Sequence, residues 1–195
     1  MEQTAEEFFH DFRQELLAEA EICGFQLDAF METVAAELVE TGFTEGFELC
    51  HYRPPQGGIR VDGYWFNDEG NLDLFVADFD SRAELASLTK TELEVTFKRL
   101  SKFFEASIDR DLAVDLEVTS PGYGLAKQIS DRRGSISSLN LILLSEFNIS
   151  CGINIKITIA VRALPRIGII DVNKSILINA FKLQPDIFIL ILFLQ

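Results

Sequence analysis

Three aspartates on predicted strands are the side chains in this sequence best suited to chemistry. Asp62 lies in one strand pattern, and Asp73 and Asp78 lie in the next. Carboxylate oxygens are ligands that suit Mg²⁺, so the three could form an all-carboxylate metal site. However, alternation along a strand places Asp73 on the face away from Asp78. The alternatives are a structural Asp62, paired with Arg60 or with a backbone amide, and an Asp78 that is a polar residue beside a loop.

Other kinds of catalytic site find little support in the sequence. The three cysteines form no CxxC pair and there are only two histidines, so a zinc site or a Cys/His site would have to draw on scattered residues. Gly57-Gly58 follows two prolines and indicates a turn, without a phosphate-loop pattern around it. We expect the thiols to be reduced and the protein to be cytoplasmic.

The charge of the chain limits its partners. The chain of 195 residues has a net charge of -14, and residues 1–120 carry 27 acidic and 9 basic side chains. A phosphate backbone is attracted by clustered Lys and Arg. We therefore expect nucleic acid to bind only through an intact metal site or a basic partner.

Two local clusters have both a functional and a structural interpretation. The basic cluster lies on one predicted helix and is more typical of a solvated face than of a nucleic-acid site; it comprises Lys98, Arg99, Lys102 and the nearby Arg110. The run Tyr64-Trp65-Phe66 could stack on bases. In a strand such a run divides between both faces, which favours a place in the core.

The elements that must position these residues follow the order α-α-β-β-β-α-α-β. This order predicts an α/β fold, with a mixed sheet sandwiched by helices. Helices are predicted from capping and periodicity to start at Thr4, near Asp28, at Thr89 and at Ser120-Pro121. Strands are predicted at residues 47–53, 59–66, 72–79 and 136–144.

Residues 147–195 differ from the rest of the chain. They are rich in isoleucine and have few turn signals, and their longest apolar run, Ile187–Leu194, is far shorter than the roughly 20 residues that span a bilayer. We expect no membrane segment, but a domain at 1–146 followed by a hydrophobic tail. The tail is either a truncated or frameshifted continuation or an edge strand that a protein partner or a second copy covers.

The strand pair of the predicted domain resembles a known family. Residues 58–79 read GIRVDGYWFNDEGNLDLFVADF and are followed by the LTKTE and RLSKFFE segments of the next helix. Together they resemble the N-terminal region of AIPR proteins, which are bacterial abortive-infection, phage-resistance proteins. The resemblance covers roughly residues 5–146. Because AIPR proteins are usually several times longer, it implies an N-terminal fragment.

The resemblance implies a fold similar to the PD-(D/E)XK nuclease core, and with it a set of site residues. Asp62 matches the Mg²⁺ ligand of the second strand, Asp78 is the second candidate ligand, and Glu37 or Glu40 could be the helix carboxylate. The third strand departs from the motif. Val76 stands at its metal-ligand position and Asp78 at its lysine position, where an aspartate cannot supply positive charge.

Three hypotheses for the function follow. The first is a degenerate nuclease-like domain without a cofactor, which acts as a sensing or interaction module in phage defence. The alternative is an active Mg²⁺-dependent nuclease with an unorthodox site of Asp62, Asp78 and a helix glutamate. The third is an assembly module that binds a partner or a second copy through residues 147–195. Whether the chain is an enzyme stays open at this point.

Overall fold

The computed structural model describes residues 25–79 and 87–145, six helical residues between 11 and 18, and strands at 148–149, 178–184 and 187–194. The start predicted at Thr4 for the first helix, and most of the predicted tail, lie outside the described residues. For the strands after residue 145 the description is of the backbone alone.

Four helices lie between residues 26 and 132. They are α1 (Gln26–Glu40), α2 (Lys90–Asp109), α3 (Leu112–Asp115) and α4 (Pro121–Arg132). The predicted capping box of α2 is confirmed, because the Thr89 hydroxyl accepts the Glu92 N–H at 3.3 Å and the Glu92 carboxylate accepts the Thr89 N–H at 2.8 Å. The single turn of α3 was not predicted, since four residues are too few to show a 3.6-residue period. No helix among the described residues is both long and apolar enough to cross a membrane.

The strands form one six-stranded sheet and one two-stranded sheet. They are β1 (Glu48–Tyr52), β2 (Val61–Phe66), β3 (Asn71–Asp78), β4 (Ser87–Leu88), β5 (Ser138–Ser145), β6 (Asn148–Ile149), β7 (Ile178–Gln184) and β8 (Ile187–Leu194). The large sheet has the order β1-β2-β3-β5-β8-β7, and β4 pairs with β6 separately. The first three strands form an antiparallel meander, β5 runs parallel to β3, and β8 runs antiparallel to β5. The predicted α/β class with a mixed sheet is confirmed.

Helices cover both faces of this sheet. The side chains of Leu74 and Val76 pack in the cluster that holds α2 and α4, whereas Phe75 and Ala77 pack in the cluster that holds α1. This alternation places Asp73 and Asp78 on opposite faces of β3, as expected. The aromatic run of β2 divides in the same way, since Tyr64 and Phe66 pack in the first cluster and Trp65 packs in the second. Its core interpretation is confirmed.

β2 and β3 separate before β3 ends. Their last backbone pair is Gly63 with Phe75. Continued in the same register, the pairing would place Val61 opposite Ala77, but it does not extend to these residues, although Val61 still pairs with Tyr52 of β1 on the other side of β2. The last residues of β3 therefore extend beyond β2, and their backbone groups on that side need other partners.

Candidate functional site

Two side chains close the open side of β3. One oxygen of Asp62, Oδ2, accepts the N–H of Ala77 at 2.9 Å, and Nη2 of Arg60 donates to the Ala77 carbonyl oxygen at 2.7 Å. The same two atoms of Arg60 and Asp62 lie 2.8 Å apart as an ion pair. Together the two side chains satisfy both backbone groups that a neighbouring strand would bond. The structure thus shows both partners that were expected for a structural Asp62.

His51 connects this pair to α1. Its Nε2 lies 2.9 Å from Asp28 Oδ1, and its Nδ1 lies 3.4 Å from Asp62 Oδ1. The hydrogen bond to Asp62 is the largest influence on the pKa of His51 and raises it. Burial opposes this effect, and both aspartates add to it. A protonated imidazole can donate to both carboxylates at once, so His51 forms an ionic bridge between α1 and β2 in its protonated state.

The Asp62 carboxylate is buried and fully engaged. Its residue is 3% exposed, and burial alone raises its pKa. The hydrogen bond from His51, the charge of Arg60 and the amide of Ala77 outweigh burial and hold the pKa below its ordinary value. One oxygen accepts from His51, and the other accepts from Ala77 and Arg60. A metal ion at Asp62 would compete with these donors for the carboxylate oxygens.

Asp73 lies apart from this network. Asp73 is buried on the α1 face, where its carboxylate accepts hydrogen bonds from Thr44 at 2.8 Å and from Asn140 at 2.7 Å. Within the described part of the chain, no group of three or more His, Cys, Asp or Glu side chains could hold a metal ion. The all-carboxylate site of Asp62, Asp73 and Asp78 is therefore not formed. A metal site of Asp62 with Asp78 stays a prediction.

A helix carboxylate that was not among the predicted site residues contacts this network. Asp28 reaches Asp62 through His51. Glu37 and Glu40 follow Asp28 in α1 by nine and twelve residues, which corresponds to about 13 and about 18 Å along the helix axis. Glu40 is exposed at the far end of α1. The structure therefore brings Asp28 into the network, and a metal-binding role of Glu37 or Glu40 stays a prediction.

A cavity of about 520 Å³ lies at the end of β3. Three arginines line it, namely Arg53, Arg60 and Arg99, together with the carboxylates Asp78 and Glu92. The Arg60 backbone N–H donates to the Arg99 carbonyl oxygen at 3.2 Å, which holds the start of β2 against α2. Guanidinium groups stay charged at all physiological pH values. The cavity therefore gathers three permanently charged guanidinium groups, one of them ion-paired with Asp62, and we call it the arginine cavity.

The arginine cavity was not predicted from the sequence. Arg99 was expected on a solvated helix face with Lys98 and Lys102. The two lysines are exposed, but Arg99 is half-buried at the cavity. One signal could have been used. Arg53 follows β1 and Arg60 precedes β2, so an antiparallel pair of strands must bring both arginines to the same end of the sheet.

Comparison with known proteins identifies the family. The model of the abortive infection phage resistance protein N-terminal domain matches residues 30–161, which is more than half of the chain and includes all of β1 to β5. No curated protein and no solved structure matches the chain. The matched region ends beyond residue 146, and the domain boundary expected there stays a prediction. The chain belongs to the AIPR family, through the N-terminal domain of abortive infection phage resistance proteins.

Proposed function

We propose that this chain supplies a non-catalytic, nuclease-like sensing or interaction module to abortive-infection phage defence. The observation that carries the proposal is the use of Asp62. The residue that matches the metal ligand of a PD-(D/E)XK core is held by Arg60, His51 and the Ala77 amide as part of the sheet. Both oxygens of the Asp62 carboxylate make contacts that stabilise the fold.

The third strand supports the same conclusion. Val76, at the second metal-ligand position of the motif, is fully buried in the α2-side cluster and has no oxygen to offer a cation. Asp78 stands at the position of the lysine and lines the arginine cavity. The order α-β-β-β-α-β, with β5 parallel to β3, is consistent with the layout of a nuclease core. The two third-strand catalytic groups of such a core have been replaced, by Val76 and Asp78.

The proposal is tested by incubating the purified chain with end-labelled DNA and RNA in Mg²⁺ or Mn²⁺. We expect no cleavage above that of buffer, and no binding of divalent metal at millimolar concentration in calorimetry. The variants Asp62→Asn and Asp78→Asn are compared with Asp68→Asn, which removes a charge from an exposed loop. Cleavage that both site variants abolish and the loop variant retains would overturn the proposal in favour of the active nuclease.

A further inference from the structure

We infer that the arginine cavity binds the terminal phosphate of a nucleotide, either free or at the 5′ end of a strand, without a metal ion. The inference rests on the proposed function in one respect, because a module without catalytic groups leaves such a ligand intact. It goes beyond that function by naming what the module recognises.

Arg53 and Arg99 supply the positive charge that an anion needs, since the third arginine of the lining, Arg60, is already ion-paired with Asp62. The arginine cavity has three guanidinium groups and two carboxylates. One of these carboxylates, that of Glu92, is held by the N–H of Thr89 at 2.8 Å and by its hydroxyl at 2.7 Å, in the cap of α2. The buried Nε of Arg60 has no hydrogen-bond partner among the described residues. Arginine suits phosphate because its planar fork can donate two parallel hydrogen bonds.

The position of α2 adds to this preference. Thr91, in the first turn of this 20-residue helix, lines the arginine cavity, as does Thr96 one turn later. The N-terminal end of a helix carries a partial positive charge that attracts phosphate groups. The two threonine hydroxyls are neutral donors of the kind that accompany arginine in phosphate sites.

The size and the remaining lining favour a nucleotide over inorganic phosphate. A volume of about 520 Å³ lies within the range of about 300–1,000 Å³ that is typical of small-molecule sites. Leu27, Phe79 and Val95 give the arginine cavity an apolar part. The Phe79 ring is held in place by stacking on Phe30, with 5.1 Å between the ring centroids. A base or sugar can lie against this part while the phosphate meets the arginines.

Recognition of this kind needs no divalent cation. In a working nuclease core the charge of the phosphate is met by Mg²⁺ and a lysine. Here three arginines converge on the end of the strand where Asp78 replaces that lysine. Affinity is therefore expected to survive a chelator and to fall as salt is added.

Calorimetry of the full chain in EDTA tests the inference. The probes are adenosine 5′-monophosphate, adenosine, inorganic phosphate, and a dinucleotide with and without a 5′-phosphate. We expect the 5′-phosphorylated mononucleotide, the 5′-phosphorylated dinucleotide or both to bind more tightly than the forms that lack the phosphate. The mononucleotide and dinucleotide results distinguish a free nucleotide from a strand end.

Variants of the lining residues test whether binding occurs at the arginine cavity. Arg53→Gln and Arg99→Gln should each weaken binding by at least about tenfold, because each removes a charge-assisted hydrogen bond. Lys98→Gln is the matched control, since it removes the same charge from an exposed position next to Arg99, and it should change affinity by less than about twofold. Circular dichroism verifies that each variant is folded.

Three results would overturn the inference: no binding of any phosphorylated probe at millimolar concentration, equal binding of adenosine and its monophosphate, or arginine variants that bind like Lys98→Gln. Chromatography of the ligand after incubation with Mg²⁺ separates this inference from the proposed function. Cleavage of a bound dinucleotide would refute the non-catalytic role and leave the binding site standing. Absence of both binding and cleavage would refute the binding site alone.

Discussion

Replacement of Asp62 by alanine tests whether this carboxylate stabilises the fold. The change removes the partner of Arg60, the acceptor of the Ala77 N–H and one of the two carboxylates that flank His51. Nothing in the remaining side chain can restore these contacts. A structural carboxylate and a metal ligand give opposite expectations for this variant.

The magnitude follows from burial. The side chains of Asp62 and Arg60 are 5% and 15% exposed. Removal of one partner from a buried ion pair costs about 3–5 kcal/mol, because the other charge stays buried without compensation. The unpaired Ala77 amide costs about 1–3 kcal/mol, but the two losses overlap because they belong to one network. We expect a total loss of about 3–5 kcal/mol, against a typical domain stability of about 5–15 kcal/mol.

Urea unfolding at neutral pH measures this loss. Far-ultraviolet circular dichroism follows the helices, and the fluorescence of the single tryptophan, Trp65, follows the α1-side core. Asp68→Ala, in the exposed loop between β2 and β3, is the control and should change the free energy of unfolding by less than about 0.5 kcal/mol. Asp62→Asn keeps an acceptor for Ala77 and should lose less stability than Asp62→Ala.

A different result would refute the reasoning. Carboxylates that serve as metal ligands are placed close together for function at a cost in stability. Their removal commonly leaves stability unchanged or raises it. If Asp62→Ala is as stable as the parent chain, Asp62 does not hold the end of β3. If the same variant also loses Mg²⁺-dependent cleavage, the active nuclease is the correct interpretation.

Three further predictions concern the bridge, the hairpin loop and the tail. The pKa of His51 is raised in the folded state. The stability that His51 adds to the fold is therefore fully present below its ordinary pKa of 6.5 and is lost as the pH rises through the folded-state pKa. His51→Gln should abolish this pH dependence, which melting temperatures between pH 5 and 9 would show. Gly70 has φ +86°, and an added Cβ would overlap the Ser135 carbonyl oxygen, so Gly70→Ala should cost more than about 1–3 kcal/mol. Gly57→Ala, with φ +71° and open space around the Cβ, should lose less in the same urea titration, and equal losses would contradict the overlap. Deletion of residues 147–195 removes β8 from the side of β5 and should lower solubility and stability. A truncated chain that is folded, soluble and unchanged in light scattering would argue against both this pairing and a partner that binds the tail.

Much of the fold could be predicted because its elements have strong local signals. The capping box of Thr89 and Glu92 and the proline at the start of α4 are encoded within a few residues each. The β2–β3 loop is also local, since the Asn67 side chain accepts the N–H groups of Glu69 and Asn71. The pairing of β8 with β5 joins residues more than 40 positions apart. No local pattern specifies such a contact.

The site was less predictable, for the same reason. Arg60 and Asp62 are two residues apart, at and just before the start of β2, so their pairing could be expected from alternation in the predicted strand 59–66. The contact between His51 and Asp28 joins a strand to a helix 23 residues away, and no spacing rule connects them. The solvated interpretation is confirmed for Lys98 and Lys102, whereas Arg99 is half-buried and lines the arginine cavity. Arg99 lies at the border of the helix face, where tertiary packing decides between solvent and cavity.

The hydrogen bonds of Arg60 and Asp62 to the Ala77 backbone also hinder association between copies of the protein. An uncovered strand edge offers its N–H and C=O groups to any extended segment of another molecule, and proteins use charged side chains to prevent this. Here the covering groups are an ion pair fixed at 2.8 Å that an incoming strand would have to break in a buried place. Concentrated solutions of an Asp62 variant should therefore form intermolecular β-structure, with the unpaired amide of Ala77 as the first point of attachment between molecules.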